Sequence, residues 1–157
     1  GSANGLDEAE FMISTNPGED LKPLGQVASG GELSRVMLAV KSVLADADDV
    51  ETLIFDEIDA GISGRTAQKV SERLSVIAKT HQIICITHLP QIASMADAHY
   101  VIEKKNVAEH TSTKIEKLSE EASVGEIARL LGGVAVTDTV LSNAKEMKSL
   151  ARDTKKY

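Results

Sequence analysis

Thr52-Leu53-Ile54-Phe55-Asp56-Glu57 runs three large apolar residues straight into two carboxylates, the pattern of a buried strand that stops at a polar edge. Gly61 to Gly64 then breaks the chain. After the break Ala67, Val70, Leu74, Ile77 and Ala78 recur at helical spacing, with Lys69, Glu72, Arg73 and Lys79 on the opposite side. Gln82 to Thr87 is a second short apolar run, rich in β-branched residues. Strand, helix and strand in that order make a βαβ unit, which predicts a parallel pair and a right-handed crossover. The expected fold class is α/β: a mostly parallel sheet flanked by helices.

Upstream of this unit, Leu33, Val36, Met37, Val40 and Leu44 mark an amphipathic helix, and the acidic stretch from Asp46 to Glu51 reads as a solvated loop after it. Glu10 to Thr15 reads as a short strand closed by the turn Asn16-Pro17-Gly18, followed by a loop holding Pro23 and Gly25. Downstream, Tyr100 to Glu103 and Thr113 to Leu118 read as strands of a hairpin around Asn106. Helices over Val124 to Leu131 and Thr139 to Ala151 close the chain. Neither an internal repeat nor a low-complexity segment is present. Gly1-Ser2 has the look of a cloning scar, so residues 1–3 are set apart and 4–157 are taken as one folded lobe.

Composition narrows the function classes. The only aromatic residues are Phe11, Phe55, Tyr100 and Tyr157, so the core must be aliphatic, and their scarcity argues against a surface that stacks single-stranded bases on aromatic rings. The net charge of −7 is uneven: residues 1–60 carry 3 basic and 13 acidic side chains, residues 61–157 carry 14 and 11. Such a balance gives no general affinity for a nucleic-acid backbone, so any DNA contact needs a local patch or another part of the protein. Cys85 is the single cysteine, which rules out a disulfide within the chain and suits a reducing compartment. No apolar stretch reaches the roughly 18 residues of a membrane span.

Three loops carry the chemistry. Ser29-Gly30-Gly31-Glu32 opens the first long helix, and as geometry it is a capping box in which Ser29 and Glu32 satisfy each other's backbone N–H groups. A capping box does not require the two glycines, which cost about 1 kcal/mol each inside a helix. Bare glycines at a helix N-terminus also let a large anion approach N–H groups along the helix dipole. Asp56 and Glu57 end the apolar strand, where ligands sit in open α/β sheets. They either close a strand at a polar loop or divide two tasks, one holding Mg²⁺ and the other activating a water. His88 follows the second parallel strand at the same sheet edge, placed to donate to a phosphate oxygen or to hold a water. His81, His99 and His110 read as ordinary loop residues, and no Cys/His spacing suggests zinc.

In this order and spacing the three loops resemble the C-terminal half of ABC-type ATPase heads. Ser29, Gly30, Gly31 and Glu32 match the signature loop, Asp56 the Walker B aspartate, Glu57 the catalytic base and His88 the switch histidine. Glu32, where transporters usually carry Gln, and Ile58-Asp59 after Glu57 are similar to the SMC, RecF and RecN group of DNA-associated ATPases rather than to transporter nucleotide-binding domains. The stretches Val27–Arg35, Phe55–Gly64, Thr87–Ala93 and Glu126–Gly133 resemble the RecN family in particular, and the similarity runs over residues 4–155.

The resemblance implies the C-terminal lobe of an ABC/SMC-type P-loop NTPase head, lacking the Walker A lobe, since no Gly-x-x-x-x-Gly-Lys-Ser/Thr loop occurs in the 157 residues. It implies ATP and Mg²⁺ as ligands, with the signature loop acting in trans on ATP bound to a second head of a homodimer. The implied partners are the protein's own N-terminal Walker A lobe, that second head, and DNA through the intact protein, with no membrane. The implied setting is the cytoplasm, at the nucleoid, in double-strand-break repair. Ala60, Gly61, Ile62 and Ser63 occupy the D-loop position, and Ser63 stands where many ABC proteins have Asp, which puts contacts of that Asp across the dimer in doubt.

Overall fold

The computed structural model describes residues 5–7, 9–14, 18–27, 29–44, 49–107 and 110–156. Its elements in chain order are β1 (Met12–Ile13), β2 (Lys22–Pro23), α1 (Leu24–Val27), α2 (Gly30–Leu44), β3 (Thr52–Phe55), α3 (Gly64–Ile77), β4 (Gln82–Cys85), α4 (Pro90–Ser94), β5 (Tyr100–Val107), β6 (His110–Lys117), α5 (Glu120–Gly132) and α6 (Asp138–Thr154). The expected βαβ unit is β3–α3–β4, its strands parallel in the register Thr52↔Gln82 to Phe55↔Cys85.

Parallel pairing among the described residues is confined to these two strands. β1 and β2 pair antiparallel, as do β5 and β6, so the described residues form three two-stranded sheets. The expected hairpin is longer than its apolar residues suggest, and Asn106 lies inside its ladder opposite Thr111 instead of at the turn. The expected turn at Asn16-Pro17 and the first part of the 46–51 loop lie outside the described residues. The expected loop around Pro23 and Gly25 contains β2 and the single turn α1.

Two cores hold the chain, aliphatic except for Phe55 in the first. In the first, Leu38 of α2, Phe55 of β3, Leu74 and Ile77 of α3 and Ile92 of α4 surround Ile58, which is fully buried. In the second, Ile127 and Ala128 of α5 meet Ala144 of α6 and Ala93 of α4. The alanines let α5 and α6 approach closely. Neighbouring residues Ile92 and Ala93 thus join the two cores through one short helix. Ser119 and Thr137 start α5 and α6 by accepting from the N–H groups of Ala122 and Val140 at 3.2 and 3.3 Å.

One face of the parallel pair is left bare. Leu53 and Phe55 point into the core, while Ile54, Ile84 and Ile86 are 68%, 45% and 48% exposed on the other side. Parallel sheets are normally covered on both faces. The apolar stripe of α2 is uncovered as well, with Leu33, Met37, Val40 and Leu44 all exposed.

Candidate functional site

The first loop folds as its capping box dictates. The backbone N–H of Ser29 and its hydroxyl both donate to Oε2 of Glu32, at 2.9 and 3.1 Å, and the N–H of Glu32 donates back to Ser29 Oγ at 3.3 Å. The backbone N–H of Ser29, then its hydroxyl, and then the charge of Arg35 hold the Glu32 carboxyl below its ordinary value.

The glycines have a steric reason that the capping box lacks. A Cβ on Gly31 would lie 2.7 Å from the carbonyl oxygen of Glu57 and 2.8 Å from the Cβ of Ala60. A Cβ on Gly30 would lie 2.6 Å from Oε2 of Glu57. The start of α2 is therefore pressed against the loop that follows β3. Two side chains of α2 fasten that loop: Ser34 Oγ donates to the carbonyl of Asp56 at 2.9 Å, and Arg35 Nη1 donates to the carbonyls of Ile58 and Ala60 at 3.1 and 2.8 Å.

Within the loop, Asp56 Oδ1 accepts from the backbone N–H of Glu57 at 2.9 Å. Glu57 takes φ of 56°, the only non-glycine residue with positive φ among those described. A β-substituted residue in the left-handed region carries strain, and such strain collects at sites where a side chain must be aimed. The N–H of Ala60 closes the turn on the carbonyl of Glu57 at 2.9 Å. Gly61 follows with φ of 72°, Ile62 packs on the first core, and Ser63 precedes α3 without a side-chain capping bond.

The third loop joins the second through Asp59, which is 4% exposed. Its Oδ2 accepts from Thr87 Oγ1 at 2.6 Å and from the backbone N–H of His88 at 2.8 Å, and it lies 3.0 Å from His88 Nδ1. Burial raises the Asp59 carboxyl, but the bonds from Thr87 and the His88 N–H, with the imidazole beside them, outweigh it and hold the pKa down. Cys85 at the end of β4 reports the same concentration of carboxylates: burial, then Asp59 and Asp56, push its thiol up to about 12, so it is no nucleophile at neutral pH. Residues 30 and 31 thus touch 57 and 60, and 59 touches 87 and 88, along one rim at the C-terminal ends of β3 and β4.

No family model matches the chain. It is 48% identical over 152 residues to the DNA repair protein RecN of Halalkalibacterium halodurans, 49% over 151 residues to that of Bacillus subtilis and 50% over 143 residues to that of Treponema pallidum. These alignments cover 97%, 96% and 91% of the chain. The chain is a segment of the RecN family. It spans about a quarter of the length of these relatives, 27%, 26% and 25%. A solved structure from work on ATP-driven dimerisation and DNA-stimulated activation of SMC ATPases shares the fold, with TM-score 0.50 at 19% identity, covering 79% of this chain and 81% of that one.

Sequence reasoning overlooked four residues of this RecN-family lobe. Ser34 and Arg35 sit in the stretch that carries the resemblance, yet nothing in their spacing says that they reach residues 56–60. Asp59 served to separate this branch from transporters and Thr87 to end a strand, and both lie in stretches that carry the resemblance, but neither was given a part in the site. His99 lies in a loop as expected, with its Nδ1 2.8 Å from Ser123 Oγ, which accepts from the buried Lys148 at 2.7 Å, whereas His110, also expected in a loop, opens β6. Burial first, then Lys148, lower the pKa of His99, against a smaller opposing pull from Glu126. Among the described residues no group of three or more His, Cys, Asp or Glu could hold a metal alone.

Proposed function

We propose that this lobe is the C-terminal half of the ATPase head of a RecN-like SMC-family protein, which hydrolyses ATP between two heads and couples this to holding DNA during double-strand-break repair. What carries the reading is the rim itself: a glycine-bearing helix start in contact with a strained Glu57, and a histidine tied by a buried carboxylate to the same loop.

Each residue then has a task. Asp56 would hold Mg²⁺, its carboxylate exposed and oriented by the N–H of Glu57. Mg²⁺, when bound, neutralises charge on the phosphates. Glu57 accepts a proton from the attacking water, and the left-handed backbone aims its carboxylate along the start of α2. His88 faces the γ-phosphate or the water. In the loop Ser29 to Glu32, the capping pair Ser29 and Glu32 holds the turn while Gly30 and Gly31 offer their N–H groups and the helix N-terminus to the phosphate of ATP held by the second head. Ala60 to Ser63 form the D-loop between them.

The bare face of the parallel pair and the uncovered stripe of α2 suit burial under the protein's own N-terminal lobe, which would also bring the missing phosphate loop. The isolated lobe should therefore turn over negligible ATP, and mixing it with its N-terminal counterpart should restore Mg²⁺-dependent turnover. Under the same reading the protein works in the cytoplasm at the nucleoid; among the described residues no helix is long and apolar enough to cross a membrane. Glu57→Gln in the intact protein tests the assignment. It should abolish turnover and trap an ATP-joined pair of heads, and unchanged turnover would overturn the role of Glu57.

A further inference from the structure

Asp59 is the one deeply buried carboxylate on the rim, and the roles above leave it without a task. We infer that Asp59 is a positioning residue that decides which nitrogen of His88 carries the proton and which one is presented to the reaction. This rests on the reading of His88 as the residue facing the γ-phosphate or the water.

The geometry is specific. Oδ2 of Asp59 collects the Thr87 hydroxyl, the His88 N–H and the His88 ring at 2.6, 2.8 and 3.0 Å. The first two contacts already satisfy a buried carboxylate oxygen as structure. The third is different, because the ring is otherwise 73% exposed, and solvation of the imidazole does not require it. A carboxylate oxygen and a bare ring lone pair repel at 3.0 Å, so Nδ1 must carry a proton. Nε2 is then the nitrogen left for chemistry. In the neutral ring it is a lone pair that can hold a water by its proton; in the imidazolium it donates to a phosphate oxygen, with Asp59 as the counter-charge. Thr87 stiffens the arrangement, since its Oγ1 also accepts from the N–H of Leu89 at 3.0 Å and so wraps residues 87–89 around the carboxylate.

The anchor also crosses the fold. Asp59 belongs to the loop after β3 and His88 to the loop after β4, so the contact fixes the imidazole relative to Glu57, two residues before Asp59. A shift of the loop after β3 is transmitted to the ring. Misplacement of a reacting group by about 1 Å costs on the order of 100-fold in rate.

The test has two arms. The first reads the ring directly, by long-range proton–nitrogen spectra of the 157-residue chain in alkaline solution. His88 should be mainly the Nδ1–H tautomer. Asp59→Ala should turn it to the Nε2–H form preferred by free histidine, and Asp59→Asn, a weaker acceptor of similar size, should reduce the Nδ1–H fraction if the alanine variant does not fold. An unchanged tautomer in the folded variants overturns the inference. The second arm measures ATP turnover of the intact protein carrying Asp59→Asn, His88→Ala, or both. Asp59→Asn should lower kcat roughly 10–100-fold with KM for ATP little changed, and the double variant should be no slower than His88→Ala alone. Fully additive losses would mean that Asp59 does not act through His88. If His88→Ala leaves turnover unchanged, the reading of His88 fails, and the tautomer spectra still decide independently whether Asp59 sets the ring.

Discussion

Gly31→Ala and Gly30→Ala separate packing from anion binding as the reason for the paired glycines. At Gly31 the new methyl carbon would sit 2.7 Å from the Glu57 carbonyl oxygen, 2.8 Å from the Ala60 Cβ and 3.1 Å from the Ala60 carbonyl oxygen. Ordinary contact between carbon atoms is about 3.5–4.0 Å, so the loop must retreat by the better part of an ångström. It is not free to do so, because Arg35 grips the carbonyls of Ile58 and Ala60 and Ser34 grips that of Asp56. Overpacking costs about 1–3 kcal/mol, and weakening a bond from a charged donor adds up to about 1.5–3 kcal/mol. Against this, alanine gains about 1 kcal/mol over glycine inside a helix. The net loss falls within roughly 0–5 kcal/mol and is about 2–3 kcal/mol at mid-range, a fall in Tm of roughly 2–4 °C for each kcal/mol at this chain length. At Gly30 the same methyl meets only the far end of the Glu57 side chain at 2.6 Å, and a carboxylate can swing aside. Gly30→Ala should therefore be neutral or slightly stabilising. Thermal and urea unfolding of both variants, followed by far-UV circular dichroism, decides the matter. A Gly31→Ala chain as stable as Gly30→Ala would refute the steric account.

Two further perturbations bear on the same fold. Arg35→Ala removes both guanidinium bonds from partly buried carbonyls and should lower stability by about 2 kcal/mol, read from the urea midpoint, and Arg35→Lys should recover only part of it because an ammonium lacks the planar fork. His99 makes stability depend on pH: its folded pKa is depressed, so the unfolded chain binds more protons in the window between that value and about 6.5. Stability should fall as pH drops through this window, and His99→Asn should flatten the profile of Tm against pH; an identical slope in the variant would remove His99 as the cause.

The elements were legible where one periodicity dominated. The β3–α3–β4 unit follows from two short apolar runs around a clean amphipathic pattern, and α2 from its apolar stripe. β1 falls inside the strand expected over Glu10 to Thr15, whereas β2 and α1 gave no such signal, being two and four residues long, and α4 was hidden because a proline marks a break as readily as the first turn of a helix. The composition of the rim was legible as well: glycines before a helix, acids after a strand and a histidine after the next strand point to one sheet edge. Its internal bracing was not. The reach of Arg35 to residues 58 and 60, and of Asp59 to 87 and 88, depends on how α2 crosses the loop and how two strand ends sit side by side. Local periodicity carries no such information. The partners of His99 were hidden for a related reason, because they lie on α5 and α6, far along the chain.

The bare apolar face and the rim belong to the same strands, and this gives the lobe its logic. Ile54 lies on the uncovered side of the sheet, yet it stands two residues before Asp56, and Ile86 stands two residues before His88. A groove of about 270 Å³ lies between α2 and β3, with Leu33, Met37 and Lys41 on one side and Leu53, Ile54 and Phe55 on the other. Leu33 directly follows Glu32, so the groove begins where the capping box ends. Any body that covers Ile54, Ile84 and Ile86 must come to the edge carrying Asp56, Glu57 and His88. Burial of roughly 25 cal/mol for each Å² of apolar surface would drive such a cover into place without any polar contact. Its register would then be set by the polar rim, where a misplaced charge is costly. Under the proposed function, assembly and chemistry would be coupled through a two-stranded sheet: the hydrophobic face would supply affinity, and the strand ends would decide whether the partner that docks completes a phosphate site.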